Sequence, residues 1–351
     1  MSPYDVGLFM FENFHQSMKI ALAFFGAAVF ITSSAGGDAT DERWIALGAR
    51  LFADGRFSAD GTVSCASCHR PEHAYADARV TGIGISQHPG TRNVPSLTDV
   101  ARYATFNWDG RMGSLEEQVL QPFTTAIEHG LVSRDDLVRR VRTQEGYRQE
   151  FRALSGVDGG EIDGSAIAQA LSAFIRSLSR ETSAFDRYRA GRDVEGLSES
   201  ARRGFEFFIG RGQCATCHVV TDAEAPLTDN RFHVSGVGLP DIGGCLGAVL
   251  TRLDRLGARL EPNDILSDPD IAALGRYVVT RKPEDIGAFR TPSLRNVART
   301  APYFHDGSVP TLEAAVDLEL YDRRWADGLP VVLSRSERDD LLEFLRALND
   351  P

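Results

Sequence analysis

Methionine is scarce in this chain: Met1, Met10, Met18 and Met112 are all there are, and nothing beyond position 112 can offer a methionine sulfur. Runs of alternating apolar and polar residues, the mark of half-buried strands, are missing as well. Low-complexity segments are absent, and 25% charged residues is ordinary for a soluble globular protein. The apolar run "IALAFFGAAVFI", from Ile20 to Ile31, has twelve residues, too short to span a bilayer that needs about 20. Positive charge is also in deficit. Against 49 Asp and Glu stand 38 Lys and Arg, a net charge of −11, which argues against nucleic acid or an anionic membrane surface as partner and favours a cationic protein.

What is present begins with an address. Met18 and Lys19 precede the apolar run and "TSSAGG", with small Ser33 and Ala35, follows it, the layout of a secretory leader. Residues 1–35 are therefore expected to be a signal peptide starting at Met18, with an uncleaved membrane anchor as the competing reading. No stable membrane span is expected once the leader is removed. The 351 residues suffice for about two domains.

Four of the five cysteines fall in two copies of one pattern, Cys65-Ala66-Ser67-Cys68-His69 and Cys214-Ala215-Thr216-Cys217-His218. C-x-x-C-H attaches c-type haem: the two thiols form thioethers and the adjacent His ligates iron. A zinc site would need its ligands to converge and would leave the trailing His unexplained in both copies. Two covalent haems are expected, with His69 and His218 as axial ligands. Cys245, in "GGCLG", is expected to be a small buried residue.

The chain also repeats itself around these motifs. "GARLFADGRFSADGTVSCASCH" and "RRGFEFFIGRGQCATCH" each place a Gly four residues before a Phe, Gly48 with Phe52 and Gly204 with Phe208, on a helix-like lead-in. Ile167, Leu171, Phe174, Ile175 and Leu178 recur at helical spacing. Ser334 to Glu337 has the form of a capping box before "RDDLLEFLRAL". The fold class expected is mainly α, as two cytochrome c-like domains over residues 36–190 and 191–351 joined near Arg189–Ser198, with Gly- and Pro-rich loops such as "GVGLPDIGGCLG".

"GTRNVPSLTDVARYATFNWDGRMGSLEEQVLQP" and "FRTPSLRNVARTAPYFHDGSVPTLEAAV" resemble the signature stretches of the bacterial di-haem cytochrome c peroxidase and MauG family, from about Trp44 to the C-terminus. The resemblance implies a periplasmic oxidoreductase with a peroxidatic haem in the N-terminal domain, an electron-transfer haem in the C-terminal domain and calcium between them. Hydrogen peroxide would be the acceptor. Electrons would come from a small cytochrome c or cupredoxin, or from side chains of a partner protein. A non-enzymatic electron shuttle is the reading from another class.

Carried over residue by residue, the resemblance makes Glu128 the distal acid and base, Gln118 a second pocket residue, and Trp108 the relay between haems. Asn93 and the carbonyls of Thr300 and Pro302 fall on the calcium ligands. Three departures stand out. Where His-capped peroxidases place the resting ligand of the first haem, this chain has Ile85, with His88 three residues on. Where they cap the second haem with Met, no Met exists; Tyr321 matches the MauG-like Tyr, though an ungapped count lands on Glu319. Two residues before Cys214, where MauG carries a surface Trp, stands Gly212.

Overall fold

The computed structural model describes residues 35–155, 162–257, 260–327 and 331–351. The expected leader over residues 1–35 lies, except for Ala35, outside the described residues. The described chain is mainly helical, and its one sheet is a pair of short strands, β1 (Phe232–Val234) antiparallel to β2 (Ala288–Arg290). No helix among the described residues is long and apolar enough to cross a membrane.

The repeated Gly and Phe find their reason in two helix crossings. Helix Ala35–Ala53 packs on helix Gly164–Ser177, and helix Glu199–Ile209 packs on helix Arg335–Arg346. A Cβ at Gly48 would lie 1.9 Å from the Ala170 carbonyl oxygen, and one at Gly204 would lie 2.0 Å from that of Asp340. Only a hydrogen fits there, so the backbones touch. One turn further on, Phe52 meets Phe174 at 5.1 Å and Phe208 meets Phe344 at 5.0 Å between ring centroids. The apolar face of Ile167, Leu171 and Ile175 is buried in the first crossing. In the second, the capping box forms: the Glu337 amide donates to Ser334 Oγ at 3.3 Å, and the Ser334 amide donates to Glu337 Oε2 at 2.8 Å.

These distances decide a competition. Gly204→Ala would gain about 1 kcal/mol of helix propensity, but the added methyl meets backbone that cannot move aside like a flexible side chain. Overpacking of this kind costs about 1–3 kcal/mol. A net loss of stability is expected, read as a lower urea midpoint at unchanged slope; a rise in midpoint would show that the helices separate freely.

Among the described residues, apolar side chains gather in three clusters: one drawn from Leu47 to Ile175, a second from Phe185 to Leu348, and a third from Ile242 to Val278. The chain thus changes core between Ile175 and Phe185, just ahead of Arg189–Ser198. The third cluster corrects the loop expected at "GVGLPDIGGCLG". Helices Leu239–Gly243 and Leu246–Leu256 form there, with Val249 and Leu253 buried. The glycines mask a helical period that starts only at Leu246. Cys245 precedes that helix and is exposed, not buried.

A second repeat joins the halves. The turns Phe106–Met112 and Tyr303–Val309 are each closed by a bridge, and Gly110 and Gly307 sit in them at φ of +67° and +68°. Across the junction, the Asn93 amide donates to the His305 carbonyl at 2.8 Å and the Arg290 amide donates to the Trp108 carbonyl at 2.9 Å. Counted from Pro95 and Pro292, Asn93 matches Arg290 and Trp108 matches His305. One contact is made twice in opposite sense, as a pseudo-twofold axis requires.

Candidate active site

Each haem-attachment motif forms a single tight helical turn, Cys65–Ser67 and Cys214–Thr216. The His69 amide donates to the Cys65 carbonyl and the His218 amide to the Cys214 carbonyl, both at 2.9 Å. The two imidazoles are oriented alike: Nδ1 of His69 lies 2.9 Å from the Tyr75 carbonyl oxygen, and Nδ1 of His218 lies 3.0 Å from that of Leu227. A carbonyl accepts only from a protonated Nδ1, so Nε2 keeps its lone pair, the form in which histidine binds metal. Burial also holds His69 below its ordinary pKa.

Over the first motif opens a cavity whose wall includes Cys65, Cys68 and His69 together with Trp108, Gln118 and Glu128. The three residues singled out for catalysis therefore share one space with the first haem motif. Gln118 Oε1 accepts from Asn107 Nδ2 at 2.5 Å, and Trp108 Nε1 donates to the Asn93 carbonyl at 2.9 Å. Glu128 is held through its main chain, whose carbonyl accepts from the Ile85 amide at 3.0 Å. Its carboxyl Oε2 is buried without a hydrogen-bond partner. Burial raises the Glu128 pKa, against the smaller opposing pull of Thr125 and Arg111.

The isoleucine turns elsewhere. A Cβ on Gly130 would lie 2.2 Å from Ile85 Cδ1, so the side chain rests on that glycine and does not line the cavity. Gly84 makes the approach possible: its Cβ would fall 1.7 Å from the Ile127 carbonyl oxygen. His88 is exposed, its Nδ1 at 3.3 Å from the Ile85 carbonyl oxygen, and it also stays outside the cavity wall.

Two wall residues escaped the sequence reading. Arg92 is buried with no hydrogen-bond partner on Nε, Nη1 or Nη2; its nearest acid, Asp109, is 3.8 Å away. Burial lowers its pKa to about 10. A buried guanidinium without hydrogen-bond partners is costly, and on the wall of this cavity it complements the carboxylates a haem carries on its edge. The tight cysteine turn, the oriented His69 and this arginine all fit a haem. His129, beside Glu128, is the second residue. Neither could be told from a surface side chain by sequence spacing.

Around the second motif, Leu312, Val316 and Leu320 of helix Leu312–Asp327 pack in the cluster that Cys214 joins. Glu319 and Tyr321, on the same helix, are both exposed, Tyr321 at 51%. Of the candidate calcium ligands, Asn93 is buried and its side-chain amide donates to the Val80 carbonyl at 3.1 Å. Pro302 is buried three residues before His305, the main-chain partner of Asn93, and the Thr300 hydroxyl donates to the Val297 carbonyl at 3.0 Å.

Residues 42–194 match the di-haem cytochrome c peroxidase family, and residues 288–326 match a RoxA-like, cytochrome c-like family. The methylamine utilization protein MauG of Methylorubrum extorquens is 34% identical over 309 residues, 87% of this chain and 77% of that protein. The chain belongs to the di-haem cytochrome c peroxidase and MauG family. It is a peroxidase-type oxidoreductase whose cofactor is haem. Within the family it is also 32% identical to the cytochrome-c peroxidase IdrP1 of Pseudomonas sp. strain SCT, over 87% of this chain and 80% of that one. Among solved structures, a MauG-like protein associated with microbial copper homeostasis is 33% identical and superposes with a TM-score of 0.70, covering 88% of this chain and 90% of the other.

Proposed function

We propose that this family member is a periplasmic enzyme that reduces hydrogen peroxide at an N-terminal haem held by Cys65, Cys68 and His69. Electrons would come from a small redox protein, a cytochrome c or a cupredoxin, through a C-terminal haem on Cys214, Cys217 and His218 with Tyr321 as its second axial ligand. The two units are residues 36–190 and 191–351, with calcium at Asn93, Thr300 and Pro302, whose hard oxygen donors suit that ion. One observation carries the reading: a cavity that gathers His69, Gln118 and the Glu128 carboxyl, its buried Oε2 without a partner, while Ile85 and His88 both stay out of it. A haem held there by Cys65, Cys68 and His69 would supply iron for binding peroxide and electrons for reducing it. Glu128 moves a proton between the peroxide oxygens, and Gln118, fixed by Asn107, offers its amide to the same space. Trp108 stands on the junction of the two halves, bonded to Asn93, where an electron passing between haems would cross.

The alternative, oxidation of a partner protein's side chains, gains support from the MauG relatives. Gly212 weighs against their surface-Trp exit, because a Cβ there would lie 2.7 Å from the Phe207 carbonyl oxygen. Electron paramagnetic resonance of the as-purified ferric protein tests the proposal. One high-spin and one low-spin haem are expected, with a spectral response to one equivalent of peroxide that needs no prior reduction. His88→Ala should change neither signal. Two low-spin haems, or no response to peroxide, would overturn the open-site reading.

A further inference from the structure

His129 is buried, 4% exposed, and neither Nδ1 nor Nε2 has a hydrogen-bond partner. It lines the same cavity as His69 and Glu128. Its position is fixed: the amide donates to the Pro122 carbonyl at 3.3 Å, the carbonyl accepts from the Ala59 amide at 2.7 Å, and the ring packs on Phe123 with centroids 4.7 Å apart. Burial, the dominant cause, lowers its pKa to about 4. A neutral imidazole carries one N–H and one lone pair. Leaving both unused in a buried place carries a desolvation penalty, and the adjacent Glu128 also has a buried carboxyl oxygen, Oε2, without a partner, so the two residues do not satisfy each other. A small molecule with both donors and acceptors satisfies both at once, and peroxide is such a molecule.

We propose that His129 is a substrate-binding residue of the cavity, hydrogen-bonding, in concert with Glu128, the small ligand that a haem held by His69 would bind. The inference rests on the function proposed above. It adds a polar anchor beside Gln118 that neither Ile85 nor His88 provides, and it assigns a task to the residue that follows the distal carboxylate.

Fluoride binding to the ferric holoprotein, followed by its absorption spectrum, tests this without turnover, since bound fluoride is a pure hydrogen-bond acceptor. His129→Leu and His129→Met remove the donor at similar bulk and are each expected to weaken fluoride binding about tenfold, the effect of one hydrogen bond of about 1.4 kcal/mol. His129→Gln keeps a donor and should stay within about threefold of the parent. Equal fluoride affinity in the parent and in both apolar variants would overturn the assignment. So would a parent haem that is low-spin and turns high-spin in His129→Leu, because His129 would then be an iron ligand. If the parent haem binds no fluoride and ignores peroxide, the underlying functional reading fails instead.

Discussion

Glu128→Gln is expected to slow peroxide turnover by about 10²–10⁴-fold, the usual contribution of a positioned general acid and base, with the haem spin states unchanged. Heterolysis of the O–O bond requires one proton to leave the inner oxygen and reach the outer one, so that the leaving group departs as water. A carboxylate performs both halves of that transfer. An amide of the same shape performs neither. The two side chains fill the same volume, so the substitution separates proton transfer from packing. It also has a pH signature. Burial sets the Glu128 pKa above the ordinary 4.5, and the base acts when ionised. The parent rate should therefore fall as pH drops through that raised pKa, with the acid limb lying above 4.5. The variant should lack this limb. Stopped-flow rates across pH decide the matter; a variant within threefold of the parent would remove Glu128 from the mechanism.

Arg295→Leu should destabilise the fold by about 3–5 kcal/mol, because it strands the buried Asp186 without its cation. Arg295 is 2% exposed. Its Nε donates to Asp99 Oδ2 at 3.2 Å and its Nη1 to Asp186 Oδ2 at 2.5 Å, and both acids are buried. Burial opposes the guanidinium charge, yet Asp99 and Asp186 outweigh it and hold the pKa above its ordinary value. After the change, Asp99 would keep the Ser293 hydroxyl at 2.9 Å and the Arg102 Nε at 3.2 Å, whereas Asp186 would keep only the Ser183 hydroxyl at 2.5 Å and amide at 3.0 Å. Neither Ser183 donor neutralises the Asp186 charge. Since Asp99 belongs to the first half of the repeat and Arg295 to the second, this cluster also ties the halves together beside the Trp108 junction. Urea unfolding of the holoprotein gives the loss. Adding Asp186→Asn should recover most of it if uncompensated charge is the cause, and a loss below about 1 kcal/mol in Arg295→Leu alone would show that water reaches Asp186.

Several of these features could be read directly from the residues. Cys65, Cys68 and His69 must share one turn because the motif is five residues long, and the same holds for Cys214 to His218. Gly48 and Gly204 stood out through their repeated distance to a Phe, and Ile167, Leu171 and Ile175 declared a buried helix face by period alone. These are local facts, carried by neighbours within one or two turns.

What the tertiary structure alone decided is where distant or directionless signals end up. Glu128, Gln118 and Trp108 lie up to 63 positions from Cys65 in the chain, and only folding shows that they line one cavity with it. Ile85 occupied the expected register, yet its direction toward Gly130 depends on a glycine that no spacing rule selects. Cys245 read as buried and emerged exposed, because the face of the following helix was hidden behind glycines. Arg92 and His129 look in sequence like any polar residue beside a turn. Their meaning comes from desolvation, and desolvation belongs to the packing of many segments around one point, which no linear pattern records.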